Sequence, residues 1–209
     1  MGLEIADQGK VAESRVFLLS PANLGGARAK PLLDGRAWER GRSVAEIYTY
    51  ISSLYFRGKV AYAERFAKAP PNGPSALVMV PGMGLVPLEA EMDVALLRAA
   101  AEVPVDAEEP RFTGPLVREA EALISRCVDT CRFVLLGSVA SGKYVEPLLP
   151  VFASRLVFPS EFVGRGDMSR GGLMLRAAEA GTELEYISVA GAILRGKRPP
   201  KLPKKPRSG

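Results

Sequence analysis

The sequence predicts an α/β fold, a three-layer αβα sandwich around a mostly parallel, four-stranded central sheet. Short apolar runs recur along the chain, and segments with helical spacing separate them. Each run ends in a loop of glycine, proline and small polar residues. Strands that alternate with helices form parallel sheets with helices on both faces. Ligands bind beyond the carboxyl ends of such strands, so these loops form the predicted site.

The four predicted strands are short, continuous apolar stretches, as expected for buried strands. They are residues 15–20 (RVFLLS), 76–80 (ALVMV), 133–136 (FVLL) and 155–158 (RLVF). Residues 184–189 are predicted to add an edge strand. The loops that follow the four strands read SPANLGG, PGMGLVP, GSVASGKY and PSEFVGRGDMSRGG. We expect the functional residues in these loops.

Apolar residues at three- and four-residue spacing predict the helices. The predicted helices are residues 43–69, 93–101, 116–131, 144–152 and 173–180, and residues 104–115 are predicted to be an acidic connection. In the longest helix, Arg57, Lys59 and Arg65 alternate with aromatic residues. This pattern favours a buried aromatic face with solvated basic residues, and base stacking is the alternative.

The chain has 209 residues, of which 47% are hydrophobic, enough for one globular domain with a core. We predict this domain at residues 1–194 and a basic, disordered tail at residues 195–209. The tail holds seven Lys or Arg and no acidic residue, and without it 21 basic and 23 acidic residues remain. A polycationic tail of this kind attracts polyanions such as nucleic acids without reading sequence, and a solubilising role is the alternative.

No apolar run approaches the roughly 20 residues that a membrane helix needs, and the first residues lack the apolar centre of a signal peptide. The expectation is a cytoplasmic protein without a membrane partner. The chain has no histidine, which excludes Ser-His-Asp triads and His-ligated metals. Cys127 and Cys131, four residues apart in a predicted helix, are interpreted as half-buried apolar residues. No cofactor and no metal is predicted.

The segment GSVASGK, residues 137–143, has the G-x-x-x-x-G-K spacing of a phosphate-binding P-loop. A P-loop continues with Ser or Thr, whose hydroxyl holds Mg²⁺, but Tyr144 follows here. No later predicted strand ends in the Asp that completes such a metal site. The favoured alternative is a strand, a glycine turn and a helix, which still leaves Lys143 at the rim of the predicted pocket.

The other strand-end loops contain further candidates. Ser20 and Asn23 are small polar residues that can hold a water or a base edge, and an Asx turn is the alternative. Gly82 and Gly84 would let a flat ligand approach the backbone, and Met83 could pack on that ligand. The alternative is that the two glycines serve only as hinges.

The segment FVGRGDMSRGG combines glycines with a predicted helix start, which favours anion binding. Arg165 and Arg170 are predicted to clamp a phosphate. Two roles are open for Asp167. Its carboxylate either takes part in the chemistry, or it pairs with one of the two arginines and thereby fixes the loop. A plain surface turn is the alternative for the whole segment.

These segments, in this order, resemble the uracil-DNA glycosylase superfamily. FVLLGSVASGK resembles the family's penultimate strand and the helix lysine that follows it, and residues 158–160 (FPS) stand where the family has His-Pro-Ser. Residues 20–23 (SPAN) stand at the family's first-strand motif. The resemblance covers roughly residues 15–185 and includes the glycosylase-like domains of archaeosine-synthase-type and YaaA-type proteins. In those, a helix like LYFRGKVAYAERFA precedes a strand that ends in a turn like PGMGLVP.

The resemblance implies a DNA N-glycosylase that extrudes a nucleotide and leaves an abasic site. It implies that Asn23, with Ser20, orients the water, while Asp167 activates it or fixes the arginines. The substrate-binding positions are Gly82, Met83, Ser138, Lys143, Phe158, Ser160, Arg165 and Arg170. Phe158 replaces the family's catalytic histidine, which implies a different base, such as a modified base of phage DNA, or lost catalysis. An RNA or nucleoside base-modification enzyme and a non-catalytic DNA-binding protein are the alternatives.

Overall fold

The structure is a computed structural model that describes residues 13–36 and 41–203. Its strands and helices follow the alternation that the sequence predicts. The strands are β1 (Arg15–Leu19), β2 (Arg42–Ser43), β3 (Ala76–Val80), β4 (Gly84–Pro87), β5 (Glu91–Met92), β6 (Arg132–Leu136), β7 (Leu156–Pro159) and β8 (Tyr186–Ser188). The helices are α1 (Lys30–Leu33), α2 (Val44–Phe66), α3 (Val94–Ala101), α4 (Pro110–Ile124), α5 (Val145–Phe152) and α6 (Asp167–Ala180).

The described residues form a six-stranded, mostly parallel sheet in the order β4-β3-β1-β6-β7-β8. The four predicted strands are its parallel strands β3, β1, β6 and β7. The edge strands β4 and β8 run antiparallel to their neighbours, and β2 pairs with β5 in a separate ribbon. All five residues of β1 are buried, because a strand in the middle of such a sheet is covered on both faces.

The order of the strands determines where the sheet opens for a ligand. From β1 the next strand, β3, is added towards one edge of the sheet. From β6 the next strand, β7, is added towards the opposite edge. Right-handed crossovers in opposite directions place their helices on opposite faces of the sheet. Accordingly α2 packs on α6, and α4 packs on α5. The carboxyl ends of β1 and β6 therefore lie at a switch point, where a crevice forms.

The helix α2 begins where the sequence predicts it, because Ser43 and Glu46 form a capping box. The Ser43 hydroxyl accepts a hydrogen bond from the Glu46 amide at 3.2 Å, and the Glu46 carboxylate accepts one from the Ser43 amide at 2.9 Å. Ser53 interrupts the helix with a positive φ of 38°. The second half of α2 then packs along α6.

Three local predictions are wrong. The segment PGMGLVP is a hairpin turn followed by the strand β4, and both Gly82 and Gly84 have positive φ. The connection 104–115 contains the first turns of α4, which begins at Pro110, a residue that suits the first helical position. That helix ends at Ile124, so Cys127 and Cys131 lie between α4 and β6. Cys131 is fully buried and Cys127 is partly exposed.

The helix α6 begins at Asp167, six residues before the predicted start at residue 173. Its first turns contain Gly171 and Gly172, which lower helix propensity and so hide this part from a sequence-based prediction. Packing against α2 compensates for that low propensity.

The described part of the predicted tail, residues 195–203, has no regular secondary structure and lies against the domain. The Arg165 guanidinium donates to the Pro200 carbonyl at 3.4 Å, and the Arg176 guanidinium donates to the Pro203 carbonyl. The Arg195 side chain donates to the Ala140 carbonyl at 3.1 Å. Residues 204–209 lie outside the described residues. Across the described ranges, no helix has both the length and the apolar character required to cross a bilayer.

Candidate functional site

An open cavity of about 580 Å³ lies at the carboxyl ends of β1, β3 and β6. Its volume is in the range of small-molecule sites, and its position is the switch point of the sheet. Residues from six parts of the fold line it, namely Ser20, Pro21, Ala22, Asn23, Leu24, Gly25, Ser52, Tyr55, Pro81, Ala100, Ala101, Val103, Pro104, Val105, Ser138, Lys143, Tyr144 and Asp167. We call it the strand-end cavity.

Ser20 lines this cavity as the first residue after β1. Its amide donates to the Leu136 carbonyl at 3.2 Å, which continues the β1–β6 pairing into the cavity wall. Gly137 packs so closely here that a Cβ atom on it would lie 3.1 Å from the Ser20 Cβ. Ser20 is 3% exposed, so its side chain is held by the protein on all sides except the cavity.

Lys59 of α2 lies directly behind Ser20 and is fully buried. Its Nζ atom donates to the Ser20 carbonyl at 2.8 Å and to the Ser20 Oγ at 2.7 Å. It also lies 3.9 Å from the centroid of the Tyr55 ring. Burial lowers the pKa of Lys59 from 10.5 to about 7, and the Asp167 carboxylate opposes this shift. A substantial share of the Lys59 amine is therefore neutral at physiological pH.

The prediction that Lys59 is a solvated residue is wrong. One signal in the sequence could have placed it correctly. Lys59 lies four residues after Tyr55 and three before Tyr62, so it continues the buried aromatic stripe of α2. A lysine on a buried stripe is rare and requires a partner, and Ser20 is that partner.

Two tyrosines border Ser20 in the cavity wall. Tyr55 and Tyr144 are 6% and 4% exposed, and both line the cavity. Burial raises the pKa of Tyr55 to about 12 and also raises the pKa of Tyr144. Both hydroxyls therefore keep their protons at neutral pH. Among the described residues, the Tyr55 hydroxyl has no hydrogen-bond partner, although Ser20 and Arg170 are nearby.

The start of α6 brings an ion pair to the cavity. Asp167 lines the cavity with a side chain that is 66% exposed, and its Oδ1 lies 3.4 Å from the Arg170 Nη1. Arg170 is 5% exposed and lies behind Asp167, with its guanidinium 5.6 Å from the Phe162 ring centroid. Asp167 thus pairs with an arginine, which is one of the two roles predicted for it. Its carboxylate also faces the cavity.

Arg165 is separate from this pair. Its guanidinium donates to the Glu161 carbonyl at 2.9 Å and to the Ser169 hydroxyl at 3.2 Å. The cavity lining does not include it. The predicted phosphate clamp of Arg165 and Arg170 is therefore not assembled at this cavity, because one arginine is buried behind Asp167 and the other braces the loop.

Three further predicted residues do line the cavity: Asn23, Ser138 and Lys143. The Asn23 Oδ1 accepts a hydrogen bond from the Gly25 amide at 3.0 Å, which is the Asx turn considered as the alternative. Asn23 is nevertheless exposed and lines the cavity, so its side-chain amide is accessible to a ligand there. The Lys143 ammonium lies 5.2 Å from the centroid of the Tyr144 ring.

Besides Arg165 and Arg170, four predicted residues lie away from the cavity lining. Gly82 and Met83 form the β3–β4 turn, in which the Met83 amide already donates to the Val80 carbonyl at 3.0 Å. Phe158 is fully buried in β7 and belongs to the core. Ser160 follows β7, and its amide donates to the Glu185 carbonyl at 2.9 Å. The predicted substrate-binding roles of Gly82, Met83, Phe158 and Ser160 are therefore not supported by this geometry.

The charges at the cavity favour an anionic ligand, since Lys143 lines it and the Asp167 carboxylate is paired with Arg170 at 3.4 Å. Within residues 13–36 and 41–203, no three His, Cys, Asp or Glu side chains converge into a metal site. No protein-family model matches this chain, and no match was found among the curated proteins or the solved structures.

Proposed function

We propose that this protein hydrolyses the N-glycosidic bond of a non-standard or modified base in DNA and leaves an abasic site. The observation that carries this proposal is the strand-end cavity, in which Ser20 and Asn23 from the loop after β1, Lys143 from the loop after β6 and Asp167 from the start of α6 converge. Glycosylases act on a nucleotide that has been flipped out of the helix into a pocket of this kind.

The residues of the cavity suit the parts of such a nucleotide. Tyr55, Pro81 and Val103 offer aromatic and apolar surface to the flat face of a base. The protonated hydroxyls of Tyr55 and Tyr144 lie close to Ser20, where a base edge or a departing base would need hydrogen bonds. Tyr55 takes the place that the resemblance assigned to Phe158.

The reaction needs a water molecule on the sugar and stabilisation of positive charge that develops there, as in glycosidases. Ser20 and Asn23 are the polar groups that hold this water. The Asp167 carboxylate and the phosphates of the DNA stabilise the sugar cation, because charge stabilisation supplies the largest share of such catalysis. Lys143 binds a phosphate next to the flipped nucleotide.

The basic segment after α6 supports a nucleic-acid substrate. Residues 195–209 contain seven Lys or Arg, and their described part lies along the domain through the contacts of Arg165 and Arg176. Positive charge on an extended segment attracts the DNA backbone independently of sequence. A role in defence against phage DNA with modified bases is consistent with this open cavity.

The experiment is incubation of the purified protein with DNA duplexes and single strands that carry uracil, hypoxanthine, hydroxymethylcytosine or glucosylated hydroxymethylcytosine. Heat and alkali cut any abasic site, and mass spectrometry identifies the released base. Release of one base, and none from unmodified DNA, is the expected result. No release with tight DNA binding would favour the non-catalytic DNA-binding protein. No release and no binding would favour an RNA or nucleoside substrate.

A further inference from the structure

We infer that Ser20 and Lys59 form a base-activated hydroxyl pair, in which Lys59 Nζ accepts the proton of the Ser20 hydroxyl while Ser20 acts on the reactant in the cavity. The identity of that reactant rests on the proposed function. The pair itself rests on the positions of two side chains from different elements, the loop after β1 and the second half of α2.

The positions of the two groups also fit a neutral amine, because a hydrogen bond between Lys59 Nζ and Ser20 Oγ can run in either direction. Lys59 Nζ lies 2.8 Å from the Ser20 carbonyl oxygen and 2.7 Å from the Ser20 Oγ. A neutral amine has two N–H donors and one lone pair. One N–H donates to the carbonyl, and the lone pair can face the Ser20 O–H. Pairs of a nucleophilic Ser and a Lys base occur in hydrolases, so the chemistry is established for these two groups.

The surroundings of Lys59 determine its charge. Within α2 it contacts aromatic faces, with Nζ 3.9 Å from the Tyr55 centroid and 5.4 Å from the Phe56 centroid. From α6, the Asp167 carboxylate favours the ammonium form while the Arg170 guanidinium disfavours it. Lys143, from the loop after β6, also disfavours it. Complete burial and these two cations all lower the pKa of Lys59, and together they outweigh the opposite effect of the Asp167 carboxylate.

The arrangement separates the base from solvent but leaves its partner on the cavity. Lys59 is 0% exposed, so water does not compete for its lone pair. Ser20 lines the cavity together with Asn23 and Asp167. Ser20 therefore acts as the link between a buried proton acceptor and the reactant.

For the proposed reaction, the proton transfers balance as follows. The oxygen of a water bonds to C1′ of the sugar, the N-glycosidic bond breaks, and its electron pair leaves with the base nitrogen. One proton of the water passes to Ser20 Oγ as the Ser20 proton passes to Lys59 Nζ. The departed base then takes a proton from solvent and Lys59 releases one. The products are the free base and an abasic sugar.

The first test is the pH dependence of base release by the wild-type protein and by Lys59→Met, Ser20→Ala and Lys68→Met. Lys68 is an exposed lysine near the amino end of β1, at the opposite edge of the sheet, and serves as the control. We expect wild-type release to rise with pH through the ionisation of Lys59. Lys59→Met should lower the rate by about 100-fold or more and abolish this rise, since general bases contribute 10²–10⁴-fold.

The ionisation of Lys59 is measured separately by NMR of protein with ¹³C-labelled lysine, with Lys59→Arg used to assign the signal. Circular dichroism and thermal melting verify that each variant is folded. A folded Lys59→Met variant with the wild-type rate and pH profile would overturn the inference. A Lys59 ammonium that persists through pH 9 would overturn it as well, without touching the proposed function.

A second reaction tests the pair independently of the proposed function. It applies even if the protein releases no base from any DNA. Diisopropyl fluorophosphate phosphorylates activated serines: the Ser20 Oγ–P bond forms, fluoride leaves, and the hydroxyl proton passes to Lys59. Mass spectrometry locates the label. Labelling of Ser20 that rises with pH and disappears in Lys59→Met supports the pair, whereas an unlabelled wild-type Ser20 at pH 9 overturns it.

Discussion

Gly58 of α2 and Gly171 of α6 bring the two helices into direct backbone contact behind the strand-end cavity. A Cβ atom on Gly58 would lie 2.6 Å from the Gly171 carbonyl oxygen, and a Cβ on Gly171 would lie 2.8 Å from backbone atoms of α2. Both distances are too short for any side chain. The contact places Lys59 of α2 close to the start of α6, where Asp167 affects its charge.

The first prediction concerns this helix contact. Gly58→Ala and Gly171→Ala should each lower the free energy of unfolding by about 1–3 kcal/mol or more, because the added methyl overpacks the contact. Gly172→Ala is the matched control, since its Cβ would meet only the Leu202 side chain at 3.4 Å. Alanine suits a helix better than glycine, so the control should gain up to about 1 kcal/mol. Urea unfolding measures all three, and equal stability of Gly58→Ala and the control would contradict the contact.

The second prediction concerns stability and pH. Lys59 loses its proton near pH 7 in the folded protein and near pH 10.5 when unfolded, so the unfolded state holds more protons between these values. The wild type should therefore gain stability relative to Lys59→Met as pH rises from 7 to 9.5, by at most about 1.4 kcal/mol per pH unit. Below pH 7 the difference should level off. The tyrosines are present in both proteins, so their contribution to the pH dependence cancels in the difference between the two stability curves. Parallel stability curves from pH 6 to 9.5 would mean that Lys59 does not titrate in this range.

The third prediction separates two roles of Asn23. Asn23→Asp keeps the oxygen that accepts from the Gly25 amide at 3.0 Å, so it should preserve the Asx turn and the melting temperature. It removes the amide donor, and base release should fall by about 100-fold, as when a positioned donor is lost. Asn23→Ala should lose both the turn and the activity. Wild-type release by Asn23→Asp would show that Asn23 only shapes the loop.

The fourth prediction concerns Asp167. Its carboxylate favours the charged form of Lys59, so Asp167→Asn should lower the pKa of Lys59 and shift the rise of base release to lower pH. Glu146→Gln is the control, because Glu146 is an exposed carboxylate of α5 that is not among the charges acting on Lys59. The ¹³C lysine signal of Lys59 reports the shift. An unchanged midpoint in Asp167→Asn would place Asp167 outside the electrostatic environment of the pair.

The fifth prediction concerns DNA binding by Lys143. Lys143→Ala should weaken binding to all sequences alike and reduce the slope of log affinity against log salt by about one, as for a single phosphate contact. Lys68→Ala, at the opposite edge of the sheet, should leave the slope unchanged. Fluorescence anisotropy between low and moderate salt measures both. Equal slopes for the two variants would mean that DNA does not enter this cavity past Lys143.

Much of the architecture follows from local patterns. The four parallel strands read as continuous apolar runs because strands in the middle of a sheet are buried on both faces. Ser43 and Glu46 mark the start of α2 through a capping box that depends only on neighbouring residues. Loops after parallel strands meet at one edge, so Ser20, Ser138 and Lys143 were predicted near the same site and do line one cavity.

Other features depended on what packs against each segment. The sequence predicts a loop where β4 forms, because GLVP is too short and too rich in glycine and proline to indicate a strand by itself. Pairing with β3 makes this segment a strand. The family resemblance predicts Phe158 in the site, whereas its side chain is fully buried in the core. Arg165 and Arg170 are close in sequence, yet they have different partners.

Hydrophobic period and turn chemistry are local properties, so they are sufficient to predict the α/β class, the parallel strands and the edge of the sheet where the strand-end cavity lies. The packing of distant segments selects the charged group that enters the interior. Lys59 and Ser20 are 39 residues apart, and they meet because α2 crosses the carboxyl end of β1 while its glycine contact with α6 closes the space behind them. Burial and partners of that kind are properties of the packed chain, and they give Lys59 a proton affinity that its sequence position does not reveal.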